Sequence, residues 1–223
     1  MTAGRFVPLS GYQSYPENEM ERRVRDYHQE LDRRRSVRHF SSQPVPRSVI
    51  EGCLRAAGTA PSGAHRQPWH FVAVSDPAVK RRIREGAEQE EHEFYTRRAS
   101  ADWLRDLRAV GTDEHKPFLE IAPWLIVVFK LMKDDVEDGA SDQVYYVNES
   151  VGIAAGLLLA AAHQAGLVTL THTPSPMKFL AQILNRPDYE RPYLLIPVGY
   201  PAEDCVVPDL ERKKLEEIMI VDR

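Results

Sequence analysis

Thr59-Ala60-Pro61-Ser62-Gly63-Ala64-His65-Arg66-Gln67-Pro68-Trp69 is the stretch whose neighbours decide the fold. Before it, Ile50, Cys53, Leu54 and Ala57 recur at i, i+3, i+4 and i+7, the period of an amphipathic helix that starts near Pro46 and is capped by Gly58. After it, Trp69 to Val74 alternates as a strand. A dinucleotide-binding unit runs in the opposite order, strand then glycine loop then helix. Neither GxGxxG nor Gly-Lys-Ser/Thr occurs in the chain. Helix, small-residue loop, strand therefore predicts an α+β fold, with helices packed on a largely antiparallel sheet, in one domain over 1–223.

Working outward, residues 1–16 read as an irregular arm, and Asn18 can cap a charge-rich helix from Glu19 to about Arg34. Pro44 and Pro46 keep Phe40 to Val45 extended. On the other side, Asp76-Pro77 opens a long polar helix that either reaches Arg98 or breaks near Glu90. Ala101 to Leu119 carries a weak amphipathic pattern with Trp103, Leu104 and Leu107 on one face. Trp124 to Phe129 is continuously apolar, as in a strand buried on both faces. Val144 to Ala165 is apolar nearly all round and reads as a central helix, buried on most sides. Its Gly152 and Gly156 would admit another backbone, a subunit boundary being one candidate. Leu167 to Leu170 and Tyr193 to Tyr200 read as strands, and Met177 to Leu184 as a helix. Pro208 to Arg223 has no clear register within the domain.

With 223 residues and a formal net charge of -4, the chain can bury a sizeable core but lacks the basic face of a general nucleic-acid binder. Cys53 and Cys205 are the only cysteines and have no CxxC spacing, so neither a zinc site nor a redox dithiol is supported. No HExxH or other metal spacing occurs among the histidines. The longest apolar run, Val151 to Ala162, is shorter than the roughly 20 residues a membrane span needs. With no signal peptide at the N-terminus, a soluble, cytoplasmic protein is the expectation.

Chemistry concentrates in three segments. Arg33-Arg34-Arg35-Ser36-Val37-Arg38 sets guanidinium groups around a hydroxyl, which suits either a solvated charged face or a cradle for phosphate. Ser62-Gly63 offers backbone N–H groups under little steric cover. Thr171-His172-Thr173 carries hydroxyls that could reach a ring nitrogen. Each alone is ordinary: Pro-Ser-Gly is a common turn, and Thr-x-Thr-Pro a common helix entry. Farther along, Glu91 and Tyr95 are four apart and share a helix face. With Lys116 they pair an acid and a base, as a zwitterion requires; the bland reading is a solvated charged helix. Trp69, Trp103 and Trp124 read as core or interface residues.

Together these stretches resemble the flavin-dependent nitroreductase family, from RRRSVR at Arg33 to Arg38 through PSGA at Pro61 to Ala64 to the strand end at Val198 to Pro201. The match is closer to its iodotyrosine deiodinase branch, through Glu91-His92-Glu93-Phe94-Tyr95, Trp103-Leu104-Arg105-Asp106-Leu107, Lys116-Pro117-Phe118-Leu119 and Val207-Pro208-Asp209-Leu210-Glu211-Arg212-Lys213. The resemblance covers about Glu30 to Met219. It implies a nitroreductase-like fold and an intertwined homodimer with FMN at the interface. FMN would be held by Arg34, Arg35, Ser36, Val37, Arg38, Ser62, Gly63, Thr171, His172, Thr173 and Arg212. Thr173 would be the catalytic residue, donating a hydrogen bond to flavin N5 and favouring one-electron steps. Glu91, Tyr95 and Lys116 would hold the substrate's amino-acid end, and the Ala64 N–H its phenolate. Residues 88–118 would close as a lid, and 203–223 would wrap the partner subunit.

The implied reaction is reductive dehalogenation of mono- and diiodotyrosine, with bromo- and chlorotyrosine as further candidates. NAD(P)H is the implied ultimate reductant, directly or through a reductase partner, although no pyridine-nucleotide motif is present. A general NAD(P)H-dependent nitroreductase or quinone reductase, or a non-catalytic halotyrosine binder, remains the alternative. Two departures from the animal branch stand out. His172 replaces a small hydroxyl residue, so its ring is expected to alter flavin redox tuning. The animal membrane anchor has no counterpart, which points to a soluble, microbial form.

Overall fold

The computed structural model describes residues 5–133 and 143–222, so the start of the expected arm, residues 1–4, and Arg223 of the expected tail lie outside it. Contacts divide the chain into two compact units, 1–34 and 35–223. In the first, residues 5–16 are irregular and lead into α1 (Glu17–Asp32). Asn18 is not the cap. Pro16 holds that position, and its carbonyl receives the Glu19 and Met20 amides at 3.0 Å each. Helix start is set instead by Pro16, which commits its own φ, and by Glu17 and Glu19, whose charge suits the N-terminal end of the helix dipole. No α1 residue is buried; Arg22 and Arg23 both pair with Glu19, at 2.8 and 2.6 Å.

The second unit is built on a four-stranded sheet of β1 (Trp69–Val74), β2 (Trp124–Leu131), β3 (Val168–Thr169) and β4 (Glu190–Gly199). The strand order is β1-β2-β4-β3, and every named pair is antiparallel. One parallel bridge, Ser36 to Thr169, lays an extended segment beside β3. The continuous apolar run of β2 follows from burial on both faces. Ile126 and Val128 face one core with α2 (Arg47–Ala57) and α6 (Val147–Gln164). Leu125, Val127 and Phe129 face the other, with α3 (Pro77–Glu93), α5 (Phe118–Ile121) and α7 (Lys178–Ile183).

Several boundaries move for identifiable reasons. Asp76 caps α3 as expected, its carboxylate accepting the Val79 amide at 2.9 Å. The helix then passes into a π-helical turn, Phe94–Arg98, and chain direction changes before α4 (Ala101–Ala109), capped by Ser100. Gly111, at φ +66°, ends that segment well short of Leu119. The central helix starts at Val147 and not Val144, because Tyr146 takes a left-handed backbone (φ 48°) that cannot continue a helix. It buries one face through Val151, Ala154, Leu158 and Ala162, while Ile153 and Gly156 on the other are exposed. The only regular element in the tail is α8 (Leu215–Ile218), among the described residues.

Gly199 shows how the sheet anchors the segment leading to the site. A Cβ there would lie 2.5 Å from Pro123 Cδ and 3.5 Å from Phe40, and a proline ring cannot swing aside. Gly199→Ala should therefore cost about 1–3 kcal/mol by overpacking, seen as a lowered urea midpoint at unchanged m-value. An unchanged midpoint would show that Pro123 moves freely.

Candidate functional site

Main-chain pairing brings the sequence-distant segments together. The Val37 amide donates to Thr169 O at 3.0 Å, and His172 exchanges two amide bonds with Leu195, at 2.8 and 3.0 Å. Arg38 is thereby set beside Thr171, His172 and Thr173. Because 171–173 is extended, its side chains alternate: the two threonines are exposed and His172 is buried.

Across from them, the C-terminal end of α3, the π turn and the loop 112–116 are stitched together by side chains. Glu88 accepts the Lys116 amide at 2.7 Å, Tyr95 OH donates to Thr112 O at 3.1 Å, and His92 Nδ1 lies 2.7 Å from Glu114. Between the two sides is a cavity of about 240 Å³. Arg38, Glu91, Tyr95, Lys116 and Thr171 to Thr173 supply most of its polar lining; Phe94, Trp103, Leu107, Phe118 and Leu170 supply the apolar part. Helix α4 contributes Trp103 and Leu107 yet has no buried residue of its own. Trp103 therefore stands at the cavity edge-on to Phe94, ring centroids 4.8 Å apart, and not in a core.

The charges here are expensive. Lys116 is 1% exposed, and its ammonium reaches Glu91 Oε2 at 3.4 Å, Thr112 Oγ1 at 3.1 Å and Asp113 O. Burial pushes the Lys116 ammonium down and the Glu91 carboxyl up, and their mutual attraction opposes both shifts. Burial also pushes Tyr95 up. Arg38 is lowered by burial, and no carboxylate or hydrogen-bond partner is found for its guanidinium among the described residues. His172 is pushed down to about 3, by burial first and then by the charges of Lys116 and Arg38. Its Nε2 is buried without a hydrogen-bond partner among the described residues, 4.0 Å from Glu91 Oε1.

The remaining sequence candidates lie elsewhere. Ser36 and Arg38 line a neighbouring cavity of about 300 Å³ with His39, Arg108 and Val206 to Pro208. Arg35 reaches Pro208 O. Val37 is buried in the core, and its amide is committed to Thr169. Arg34 closes the turn after α1, in the first unit. Arg212 lies on the exposed segment before α8. Ser62, Gly63 and Ala64 are absent from the cavity lining. Gly63 packs where a Cβ would meet Tyr145 O at 2.9 Å, and Ala64 takes φ 50°, a backbone disfavoured for a non-glycine residue. Thr112, Ser175 and Leu170 line the cavity unforeseen by sequence. They are single residues in loops or strand ends, without a periodic signal.

The chain matches the Nitroreductase family model over residues 31–200. It is 59% identical to an iodotyrosine deiodinase of Haliscomenobacter hydrossis, over 97% of each chain, and 47% identical to iodotyrosine deiodinase 1 of Mus musculus, over 96% of this chain and 75% of the mouse protein. Among solved structures it is similar to an oxidised iodotyrosine deiodinase bound to FMN and 3-iodo-L-tyrosine, at TM-score 0.72 and 30% identity, covering 88% of this chain and 97% of that one. A nitroreductase-like protein of Streptococcus mutans shares the fold at TM-score 0.67 and 19% identity, over 90% of this chain and 100% of that one.

The neutral ring of His172 makes stability depend on pH. An imidazole ordinarily titrates near 6.5 and burial pushes this one down to about 3, so the unfolded chain binds the extra proton between them. The ring's contribution is complete above about 6.5 and is lost as pH falls toward 3. The thermal midpoint should drop between pH 7 and 4.5, and His172→Gln should flatten that slope. Equal slopes would contradict a buried neutral imidazole.

Proposed function

The chain belongs to the iodotyrosine deiodinases of the nitroreductase family, and we propose that it reductively deiodinates mono- and diiodotyrosine to tyrosine with FMN. The carrying observation is the buried Glu91–Lys116 pair beside Tyr95, in one cavity with Arg38 and the 171–173 segment. Those residues fit FMN in kind. Arg38 is a half-buried cation facing three adjoining cavities, with hydroxyls of Ser36, Thr171 and Thr173 on their walls. When bound, FMN supplies two electrons, which with one proton replace the carbon–iodine bond by carbon–hydrogen and free iodide.

The chain's residues bind and orient. Arg38 and Ser36 would hold the anionic and ribityl parts of FMN, with Arg35 and Arg212 completing its surroundings. Thr173 Oγ1 donates to flavin N5. Val37 and His172 support this set through their backbones, and Thr171 flanks it. Glu91 takes the ligand's ammonium, Lys116 its carboxylate, and Tyr95 OH completes the grip. Phe94, Trp103 and Leu107 exclude water above the ring, so residues 88–118 act as a lid over a bound ligand; α4 suits that role because it buries no residue of its own.

Ser62, Gly63 and the Ala64 N–H, assigned to flavin and phenolate, lie outside the cavity of their own protomer, which favours their serving a second copy. The homodimer reading also accounts for exposed Ile153 and Gly156 on α6, and for exposed Val206, Leu210, Leu215, Ile218, Ile220 and Val221 on the tail 203–223. NAD(P)H is the ultimate reductant in this reading, directly or through a reductase partner, and the protein acts in the cytoplasm. Bromo- and chlorotyrosine fit the same grip. A general nitroreductase would gain nothing from a buried acid–base pair beside the cofactor.

Reduced FMN-loaded protein mixed anaerobically with 3-iodotyrosine should yield iodide and tyrosine in equal amounts. Reoxidation by nitroaromatics with iodotyrosine left intact would overturn the reading in favour of a nitroreductase. A Cβ at Gly156 meets nothing within 4 Å in the protomer. Gly156→Leu should thus preserve secondary structure while shifting sedimentation from dimer to monomer and lowering FMN occupancy. A variant that stays dimeric would remove α6 from the interface.

A further inference from the structure

His172 stands beside Glu91, the carboxylate that would meet the ligand's ammonium. Residues 171–173 are pinned by the paired amide bonds between His172 and Leu195, so the imidazole cannot drift far. Its ring stands edge-on to Phe118, centroids 5.8 Å apart. That contact fixes the ring plane and points Nε2 at Glu91. The carboxylate is thereby divided: Oε2 faces the Lys116 ammonium at 3.4 Å, and Oε1 faces His172 Nε2 at 4.0 Å. Nε2 is buried and has no hydrogen-bond partner among the described residues. A buried polar atom in that condition costs free energy unless another state satisfies it. The separation is about 1 Å beyond an ordinary N–H···O contact, a gap that closure of the segment carrying Glu91 can remove.

We propose that His172 is a positioning residue of the ligand clamp: with the ligand bound, its Nε2–H donates to Glu91 Oε1 and turns Oε2 toward the ligand's ammonium. This rests on the reading of Glu91 as the ammonium partner. It reverses the sequence expectation, in which the ring tunes the flavin. The alternation along 171–173 explains why: the threonine hydroxyls take one face, and the histidine ring takes the other, toward Glu91. A neutral donor suits the task. An imidazolium would compete with the ligand's ammonium for the carboxylate and would stand beside Lys116 and Arg38, whereas an N–H dipole orients Glu91 and leaves its charge for the ligand. The side-chain amide nitrogen of glutamine reaches about as far as Nε2, and that of asparagine only as far as Nδ1, which separates the hydrogen bond from mere bulk.

The test is affinity, read by quenching of flavin fluorescence in oxidised FMN-loaded protein. The probes are 3-iodotyrosine and 3-(3-iodo-4-hydroxyphenyl)propionate, which lacks the ammonium. His172→Phe should weaken iodotyrosine binding by about tenfold or more, the worth of a hydrogen bond to a charged group, and leave the propionate unchanged. His172→Gln should restore most of the loss; His172→Asn should not. Equal loss for both ligands would mean that the ring merely fills space, and no loss for either would mean that Glu91 is oriented without it. Glu91→Gln serves as the reference. If it too leaves iodotyrosine affinity intact, the clamp reading itself fails. If Glu91→Gln loses the ammonium preference and His172→Phe does not, only the role of His172 fails.

Discussion

The contact between the Lys116 ammonium and the Glu91 carboxylate, deep under α4, constrains everything around it. Two charges withdrawn from water cost several kcal/mol each, and their attraction repays this only with good geometry and further hydrogen bonds. The chain provides these to Lys116 from Thr112 and Asp113. Even so, an apolar pair of similar volume would serve stability as well or better. A pair kept at such cost is better explained by what can come between the two groups. A zwitterion inserted there exchanges one ion pair for two and buries no uncompensated charge.

Two walls control how a ligand reaches that pair. One wall is rigid by construction: 36–38 and 171–173 hang on β3 and β4 through backbone bonds, and the sheet beneath is buried on both faces. The other wall is held to itself. Glu88, His92 and Tyr95 bind the 112–116 loop, so the end of α3, the π turn and the returning loop can shift as a body. The π turn fits such a place, since i→i+5 turns concentrate at functional sites. In the proposed reading Arg38 belongs to the wall that stays and Glu91 to the wall that closes, the division a site for a resident cofactor and a transient ligand calls for.

The framework was legible where pattern is physical. The reversed order around 59–69 excluded a doubly wound sheet. The unbroken Trp124 to Phe129 run announced a buried strand, and Asp76-Pro77 marked its helix start correctly. Boundaries failed where one backbone torsion decided them: Tyr146 and Gly111 each truncated an element that the apolar period would have extended. Asn18 misled because a proline two residues earlier outranked a good capping side chain. In the site, Glu91 and Lys116 were readable as an acid and a base presented together, with Tyr95 on the helix face of Glu91. What His172 faces was not, because a side chain's direction in a three-residue extended stretch depends on the β4 partner. Nor could any periodicity reveal that Ser62 to Ala64 lie away from the cavity, since that depends on tertiary placement alone.

The central claim is that Glu91 and Lys116 read opposite ends of one ligand. The direct measurement is the affinity of FMN-loaded wild type, Glu91→Gln and Lys116→Met for 3-iodotyramine, which has no carboxylate, against the iodinated phenylpropionate, which has no ammonium. Lys116→Met should weaken only the propionate, and Glu91→Gln only the tyramine. If either variant weakens both probes by the same factor, the two residues act as one structural unit and the account of the clamp is wrong.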